Sequence, residues 1–288
     1  MRVMKFEIGN GEFHVGDCFD VMRELPDASV DMILCDLPYG TTACNWDSVL
    51  PFDELWREYC RIVKPNTAIV LCGAEPFSSA LRMSNLTWFK YDWIWHKSRA
   101  LGFTNAKNKP MNKHETISVF SSGTVANRSD RRMPYYPQGL VAYGKTVSGI
   151  KACKADEGGG HRFARASHKA EHLQEFTGYP TSVVEFPNEG RTIHPTQKPV
   201  ALFEYLIRTY TNPSEVVLDN TAGSGTTAVA AENAERRWIC IERDEDYAAK
   251  AIERIRQHVS SGAPEPKPAR AARGAARAGE AYQTSLFG

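Results

Sequence analysis

The sequence predicts an α/β protein with a mostly parallel sheet and helices on both of its faces. Short continuous apolar runs, such as residues 30–35 and 68–72, have the length and composition of strands that are buried on both sides. Amphipathic stretches with a helical period alternate with such runs, for example residues 52–63 and 200–210. A chain of 288 residues is long enough to bury a large core. Together these observations indicate the α/β class.

The chain begins with a predicted hairpin, a helix and a strand. Apolar and polar residues alternate over residues 1–16 around Asn10-Gly11, a dipeptide that favours two-residue hairpin turns. Apolar residues then recur at helical spacing over 19–25, and Pro26 ends that helix before the strand at 30–35.

The later elements alternate in the same way. Strands are predicted at 68–72, 91–95, 116–120, 182–186, 216–219 and 238–242, and helices at 52–63, 77–83, 200–210, directly after residue 227 and at 246–259.

Two regions break this alternation. Residues 122–180 lose all periodicity, and we interpret them as an inserted, loop-rich region outside the sheet. Residues 261–282 contain almost no large apolar side chain, which is typical of a disordered linker. The predicted organisation is one domain in two halves, 1–121 and 181–260, with the insertion between them and a tail at 261–288.

Composition suggests a cytoplasmic protein that does not bind membranes. The net charge is +1, so any attraction to a charged partner must come from local patches. The chain has no apolar run of about 18 residues and no apolar leader at its start. Cys35, Cys72 and Cys240 lie within apolar runs and are expected to be reduced core thiols.

The strand at 30–35 runs directly into Asp36, Leu37, Pro38 and Tyr39. A carboxylate, a rigid proline and an aromatic ring thus follow a buried strand at once. Open α/β sheets bind their ligands at the carboxyl ends of strands, so these residues are candidates for a site. The alternative is that Asp36 is a strand-end carboxylate that only caps the next turn.

The strand at 216–219 leads into a second candidate site. Gly223-x-Gly225 follows it and precedes a helix, and Glu242 ends the next strand. Such glycines let the backbone approach a ligand, and an acid roughly 20 residues further on binds ribose in such folds. The sequence contains neither the third glycine of a dinucleotide fingerprint nor a GxxxxGK[ST] loop. A nucleoside ligand without pyrophosphate is therefore expected, although a ligand-free tight turn is the open alternative.

Taken together, these motifs resemble the S-adenosylmethionine-dependent DNA amino-methyltransferases, over about residues 15–258. The stretches that carry the resemblance are Gly16-Asp17, Asp36 to Tyr39, His194 to Pro199, Asp219 to Thr227, and Glu242. The catalytic motif precedes the cofactor motif, which matches the permuted beta class of that family. The resemblance implies a Rossmann-like methyltransferase fold with a mostly parallel seven-stranded sheet, and residues 122–180 as the target-recognition region.

The family's site residues carry over by motif. The catalytic set is Asp36, Leu37, Pro38 and Tyr39, and the cofactor-binding set is Asp17, Lys198, Asp219, Gly223, Ser224, Gly225, Thr226, Thr227 and Glu242. Asp36 and the Leu37 carbonyl would accept hydrogen bonds from the target amine, and Tyr39 would stack on the flipped-out base. Leu37 stands where the family more commonly has proline. Aspartate at 36 points to adenine-N6, since cytosine-N4 enzymes more often have serine there.

Double-stranded DNA is the expected partner of two basic segments. Residues 97–113 contain five cations and no acid, and residues 122–180 contain nine cations against five acids. We predict phosphate contacts for Lys97, Arg99, Lys107, Lys109, Lys113, Arg131, Arg132, Arg162 and Arg165. No metal is expected, because the spacing of Cys153, His161, His168 and His172 fits no standard zinc pattern.

The end of the chain resembles the peptide that binds bacterial sliding clamps. Gln283, Leu286 and Phe287 lie behind the predicted linker, and the two apolar side chains could anchor in a groove on a partner. An incidental apolar end, or one that folds back on the protein, is an equal alternative. The resemblance to the methyltransferase family also leaves a homodimer as a possibility.

Three functions remain to be separated at this point. A solitary DNA adenine-N6 methyltransferase is favoured. Methylation of cytosine-N4 or of RNA is the nearest alternative. A cofactor-binding but inactive DNA-binding protein is the third, and the intact Asp36, Pro38 and Tyr39 argue against it.

Overall fold

A computed structural model of the chain describes residues 3–40, 48–148, 171–190, 193 and 197–262. The described residues form two compact units. The larger unit draws on residues up to 136 and from 181 onward, and the smaller unit lies within 137–180. Every described candidate residue belongs to the larger unit, whose architecture determines the site.

The described residues contain six α-helices, all in the larger unit. They are α1 (Cys18–Glu24), α2 (Phe52–Ile62), α3 (Phe77–Ser84), α4 (Val200–Tyr210), α5 (Thr226–Asn233) and α6 (Glu245–Ser260). Asp17 caps α1 by accepting from the Phe19 amide, and Asp244 caps α6 in the same way. Within this part of the chain no helix is both long and apolar enough to cross a membrane.

Eleven strands occur in the same residues. They are β1 (Met4–Ile8), β2 (Gly11–Val15), β3 (Val30–Asp36), β4 (Val63–Gly73), β5 (Phe89–Leu101), β6 (Asn112–Phe120), β7 (Val141–Ser148), β8 (Glu171–Thr177), β9 (Val183–Phe186), β10 (Val216–Asp219) and β11 (Arg237–Glu242). The strands β7 and β8 pair antiparallel in the smaller unit, and the other nine form one sheet.

The nine-stranded sheet has the order β1-β2-β11-β10-β3-β4-β6-β5-β9. Only β1 and β6 run against the direction of the other strands. From β10 the chain proceeds to β11 on one side, and from β3 it proceeds to β4 on the other. The strand order therefore reverses between β10 and β3, which is where open sheets form a ligand crevice at the carboxyl ends.

Two apolar cores cover the two faces of this sheet. Met32 and Leu34 of β3 pack into the core that contains α4, α5 and α6. Ile33 and Cys35 of the same strand point the other way, into the core that contains α1, α2 and α3. Strand β3 is buried on both faces, which explains its continuous apolar sequence.

The predicted α/β class with a mostly parallel sheet is confirmed. The number of strands differs from the seven that the family resemblance implied, because β1 and β9 extend the two edges. The hairpin turn is also shifted by one residue. Ile8 pairs with Gly11, so the turn consists of Gly9 and Asn10, and Gly9 takes the positive φ of +54°.

The region 122–180 is more ordered than its lost periodicity suggested. It contributes β7 and β8, so its described part is not made of loops alone. Its first residues belong to the larger unit: Thr124 bridges to Arg132, and Met133 is buried in the core. Short strands and two isolated buried side chains, Met133 and Leu140, give too little periodic signal to be recognised in the sequence.

Candidate functional site

The carboxylate of Asp36 lies at the carboxyl end of β3, where two side chains donate to it. The Tyr39 hydroxyl donates to Oδ1 at 2.5 Å, and Lys198 Nζ donates to Oδ2 at 2.7 Å. Asp36 remains partly exposed, whereas the neighbouring Leu37 is buried. Both carboxylate oxygens of Asp36 therefore have a donor in this structure.

Lys198 belongs to a row of four charged side chains of alternating sign. Its Nζ lies 3.2 Å from Glu115 Oε2, and Lys97 pairs with the other oxygen of Glu115. Burial on its own would lower the pKa of Lys198, but the carboxylates of Asp36 and Glu115 outweigh it and raise that pKa. Burial likewise acts to raise the pKa of Glu115, and the two ammonium groups reverse this and lower it. The row Lys97–Glu115–Lys198–Asp36 is thus a charge-balanced cluster.

The ring of Tyr39 is held by a second aromatic side chain. It stacks on Phe77 at the start of α3, with the ring centroids 5.0 Å apart and the planes 27° apart. Burial, and next the negative charge of Asp36, raise the pKa of Tyr39 well above its usual value. The Tyr39 hydroxyl therefore keeps its proton and acts as a donor to Asp36.

The turn between β10 and α5 forms the second half of the site. Gly223 and Gly225 adopt positive φ values of +49° and +71°. A Cβ on Gly225 would come within 2.9 Å of Ile255 in α6, so glycine also permits that close packing. The Glu242 carboxylate accepts from the Gly223 and Asp244 amides, each at 2.8 Å. Burial raises the pKa of Glu242.

Direct hydrogen bonds join these turns to their neighbours. Thr221 Oγ1 donates to the Asp36 carbonyl oxygen at 3.1 Å, which links the turn after β10 to the end of β3. The Gly16 amide donates to the Glu242 carbonyl oxygen at 2.9 Å. The ends of β2, β11, β10 and β3 are therefore tied together along one edge of the sheet.

Several predicted cofactor residues have their side chains engaged within the protein. Asp219 accepts from Thr227 Oγ1 at 2.5 Å and from the Thr221 amide at 3.1 Å, and burial raises the pKa of Asp219 to about 7. Ser224 and Thr226 are buried and contact each other at 3.0 Å. These contacts stabilise the glycine turn. Asp17 lies at the cap of α1, as described above.

Lys198 was assigned to the cofactor-binding set, and in this structure its ammonium group lies at Asp36. Only its backbone reaches the turn, where its carbonyl oxygen is 3.5 Å from Thr226 Oγ1. The cause is electrostatic, since two carboxylates lie within 3.2 Å of the ammonium group.

The DNA-contact candidates fall into two groups. Lys97 does not lie on a surface, because its ammonium is buried against Glu115, and the prediction of a phosphate contact is corrected for this residue. The other described candidates are exposed: Arg99, Lys107, Lys109, Lys113, Arg131 and Arg132.

Some predictions fall outside the described residues. These are Arg162 and Arg165, the proposed clamp-binding residues Gln283, Leu286 and Phe287, and the excluded zinc ligands Cys153, His161 and His168. The clamp peptide and the homodimer stay predictions.

Sequence reasoning missed Glu115 and Phe77. One signal could have indicated Glu115, since it is the first acid after a run of 22 residues, 93–114, without one. It also begins the apolar part of β6, and the amino-terminal end of an antiparallel strand lies at the edge where parallel strands end. Phe77 had no comparable signal, because its contact with Tyr39 depends on how α3 packs.

Residues 30–253 of the chain match the family described as DNA methylase. Among curated proteins, the type II methyltransferase M.HpaI of Haemophilus parainfluenzae is 27% identical over 247 residues. That alignment covers 81% of this chain and 70% of the relative.

Solved structures of similar fold include two that hold S-adenosylmethionine. The M1.HpyAVI–SAM complex has a TM-score of 0.56 and 23% identity, and the match covers 85% of this chain and 99% of that one. TTHA0409 of Thermus thermophilus, a putative DNA modification methylase complexed with S-adenosyl-L-methionine, has a TM-score of 0.54 and 24% identity, with coverage of 87% and 95%. The cytosine-N4-specific PvuII DNA methyltransferase has a TM-score of 0.58 and 16% identity, with coverage of 88% and 94%. At these identities the structures establish the fold.

Proposed function

The chain belongs to the DNA methylase family, and on this premise we propose that it is a site-specific adenine-N6 methyltransferase. It transfers a methyl group from S-adenosylmethionine to the exocyclic amine of an adenine flipped out of duplex DNA. The observation that carries the proposal is the hydrogen bond between Thr221 Oγ1 and the Asp36 carbonyl. It holds the glycine turn against the candidate catalytic strand end, at the switch point of the sheet.

S-adenosylmethionine is the methyl donor, and the residues around the glycine turn fit it. Each oxygen of Glu242 already accepts one backbone amide and retains a second lone pair for a ribose hydroxyl. The positive φ values of Gly223 and Gly225 shape the turn for the methionine part of the ligand. Bound there, the cofactor supplies a methyl group on a sulfonium, which is open to in-line attack by an amine.

Asp36 and Leu37 orient the target amine in this proposal. The amine of adenine is a poor nucleophile because its lone pair is delocalised into the ring. Hydrogen bonds to the Asp36 carboxylate and the Leu37 carbonyl would favour a pyramidal nitrogen whose lone pair faces the methyl group. The nitrogen would then take up the methyl group that the cofactor supplies and release one proton to solvent. The rate gain comes chiefly from placing the two reactants.

Each oxygen of Asp36 already accepts one donor and, like those of Glu242, retains a second lone pair, so the amine can bind beside these donors or displace one of them. We propose that it displaces Lys198, because Glu115 lies 3.2 Å from the same ammonium and can retain it. Tyr39 keeps its bond to Asp36 and offers its ring to the base. Stacking of a base on an aromatic side chain is worth about 1–3 kcal/mol, which offsets much of the cost of unpairing.

Glu242→Ala is expected to weaken binding of S-adenosylmethionine by about 10- to 100-fold, since one charged hydrogen bond contributes about 1.5–3 kcal/mol. Because burial raises the pKa of Glu242, wild-type affinity should also begin to fall at a higher pH than for an ordinary glutamate. Calorimetric titration across pH measures both effects. Glu245→Ala, an exposed acid three residues on, is the matched control and should leave affinity unchanged. Equal affinities for the wild type and Glu242→Ala would exclude the ribose contact.

The basic segment at the tip of the β5–β6 hairpin supports DNA as the substrate. Arg99, Lys107, Lys109 and Lys113 are exposed there. The double variant Lys107→Ala/Lys109→Ala should reduce the slope of log affinity against log salt by about 2, because each phosphate contact contributes about 0.9. Lys5→Ala, an exposed cation of β1 at the opposite edge of the sheet, should leave the slope unaltered. Equal slopes for the double variant and the control would remove this segment from the interface.

The target base and its sequence context need one experiment. Asp36 favours adenine, and we propose residues 122–180 as the target-recognition region. Single-molecule sequencing of DNA from a host that expresses the protein reports the modified base and the recognition sequence together. N6-methyladenine at one recurring sequence is the expected result, whereas N4-methylcytosine would identify the alternative specificity.

A further inference from the structure

The hairpin formed by β5 and β6 rises beyond the catalytic edge of the sheet. Asp36 pairs with Cys72 of β4, and Cys72 pairs with Ile117 of β6, so these residues mark one level. Strand β6 begins five residues before Ile117, at Asn112, which pairs with Leu101 of β5. At about 3.4 Å per residue, the hairpin projects about 17 Å past the level of Asp36.

A tight turn at the tip of this hairpin exposes an aromatic side chain. Gly102 adopts a φ of +90°, and a 3-10 turn follows over Phe103–Asn105. Backbone hydrogen bonds from Asn105 to Gly102 and from Ala106 to Phe103, at 3.0 Å each, order the turn. The residue Phe103 is nevertheless 80% exposed, more than any other described large apolar residue. The ordered backbone of the turn therefore keeps the Phe103 ring exposed to solvent.

The charged side chains near Phe103 indicate which kind of partner covers its ring. Residues 98–114 carry Arg99, Lys107, Lys109 and Lys113 and contain no Asp or Glu. A polyanion is the partner that complements such a segment, whereas a second copy of this segment would repel it. An exposed phenyl ring among cations suits duplex DNA, since proteins that deform DNA insert apolar side chains between base steps.

We propose that Phe103 is a wedge that enters the base stack and fills the gap left when the target base is flipped out. The inference rests on the proposed function and adds to it the group that stabilises the opened duplex. The grooves of B-DNA are about 8 Å deep, so a projection of about 17 Å lets the ring reach the stack while the sheet edge remains outside. The ring replaces part of the stacking energy that the departing base loses.

The test uses a duplex that carries the recognition sequence found by sequencing. Phe103→Ala should raise the KM for this duplex about 10-fold, as expected for the loss of one stacked aromatic side chain. When an abasic site stands opposite the target base, flipping costs less free energy. The increase in KM caused by Phe103→Ala should then shrink to about 2-fold or less. Phe103→Trp should retain the wild-type KM on both duplexes.

Leu86→Ala is the matched control, because Leu86 is 57% exposed and precedes the amino end of β5, away from the tip. It should match the wild type throughout. The wedge is overturned if Phe103→Ala has the wild-type KM on the intact duplex, or if the substitution raises KM by the same factor on both duplexes. A wild-type protein that methylates no DNA would instead overturn the proposed function, and the wedge with it. Phe103→Ala that abolishes self-association of the protein, with KM unchanged, would identify a second copy as the partner.

Discussion

Asp36→Ala is expected to lower the rate of methyl transfer by about 10²–10³-fold, the range found when one preorganised hydrogen-bonding group that stabilises the transition state is removed. The physical reason is that alanine leaves the target amine with one acceptor, the Leu37 carbonyl. The amine then has no carboxylate to hold its hydrogens, and its lone pair stays delocalised. Single-turnover kinetics with saturating DNA and cofactor measures the chemical step directly.

Two controls keep this result specific to the chemistry. Binding of S-adenosylmethionine should change by less than about threefold, because Glu242 and the glycine turn are intact. The fold should also persist, since Lys198 retains Glu115 as a partner at 3.2 Å. Asp36→Asn, which keeps one acceptor oxygen, should retain more activity than Asp36→Ala. Wild-type single-turnover rates in Asp36→Ala would refute the assignment.

Glu115→Gln is expected to destabilise the protein by about 3–5 kcal/mol, as found when one partner of a buried ion pair is removed. In the wild type, Glu115 faces two buried ammonium groups, those of Lys97 and Lys198. Its replacement leaves Lys97 without a carboxylate and leaves Lys198 with Asp36 alone. The midpoint of urea unfolding at neutral pH measures the loss.

The pH dependence of this difference has a definite sign. The pKa of Glu115 is lowered in the folded protein, so its ionisation stabilises the fold above the ordinary value of 4.5. That contribution falls as the pH drops below 4.5, and the gap between the wild type and Glu115→Gln should narrow there. A gap that widens at acid pH would contradict the charge-balance account.

A second substitution separates charge balance from shape. In Lys97→Met/Glu115→Gln a cation and an anion are removed together, and Lys198 still pairs with Asp36 at 2.7 Å. The double variant should recover more than half of the lost stability. If it is as unstable as Glu115→Gln, the loss comes from packing around Glu115 and not from unpaired charge.

The sequence alone allowed the six described helices, the nine described strands of the larger unit and the two turns of the candidate site to be predicted. Strand β3 is buried on both faces, and such strands leave a continuous apolar run. Glycines with positive φ, such as Gly223 and Gly225, mark their turn because few other residues adopt that backbone. Elements whose structure depends on residues close in sequence could therefore be predicted.

The contacts of Lys97 and Lys198 could not be predicted in this way. Both lysines lie in segments that are polar in sequence, so exposure or a ligand contact was the natural expectation. Their burial depends on which strands pair: β5 and β6 place Lys97 beside Glu115, and the approach to α4 brings Lys198 against Asp36. Register and strand order are properties of the whole sheet, and a segment of sequence does not contain them.

In the proposed mechanism, Asp36 directs a methyl group from S-adenosylmethionine to an adenine amine. Mass spectrometry of nucleosides tests it most directly, after DNA has been incubated with the purified protein and isotope-labelled cofactor. The wild type should yield labelled N6-methyladenine, and Asp36→Ala should yield about a hundredth of that amount or less. Label in another nucleoside, or equal label with both proteins, would contradict the account.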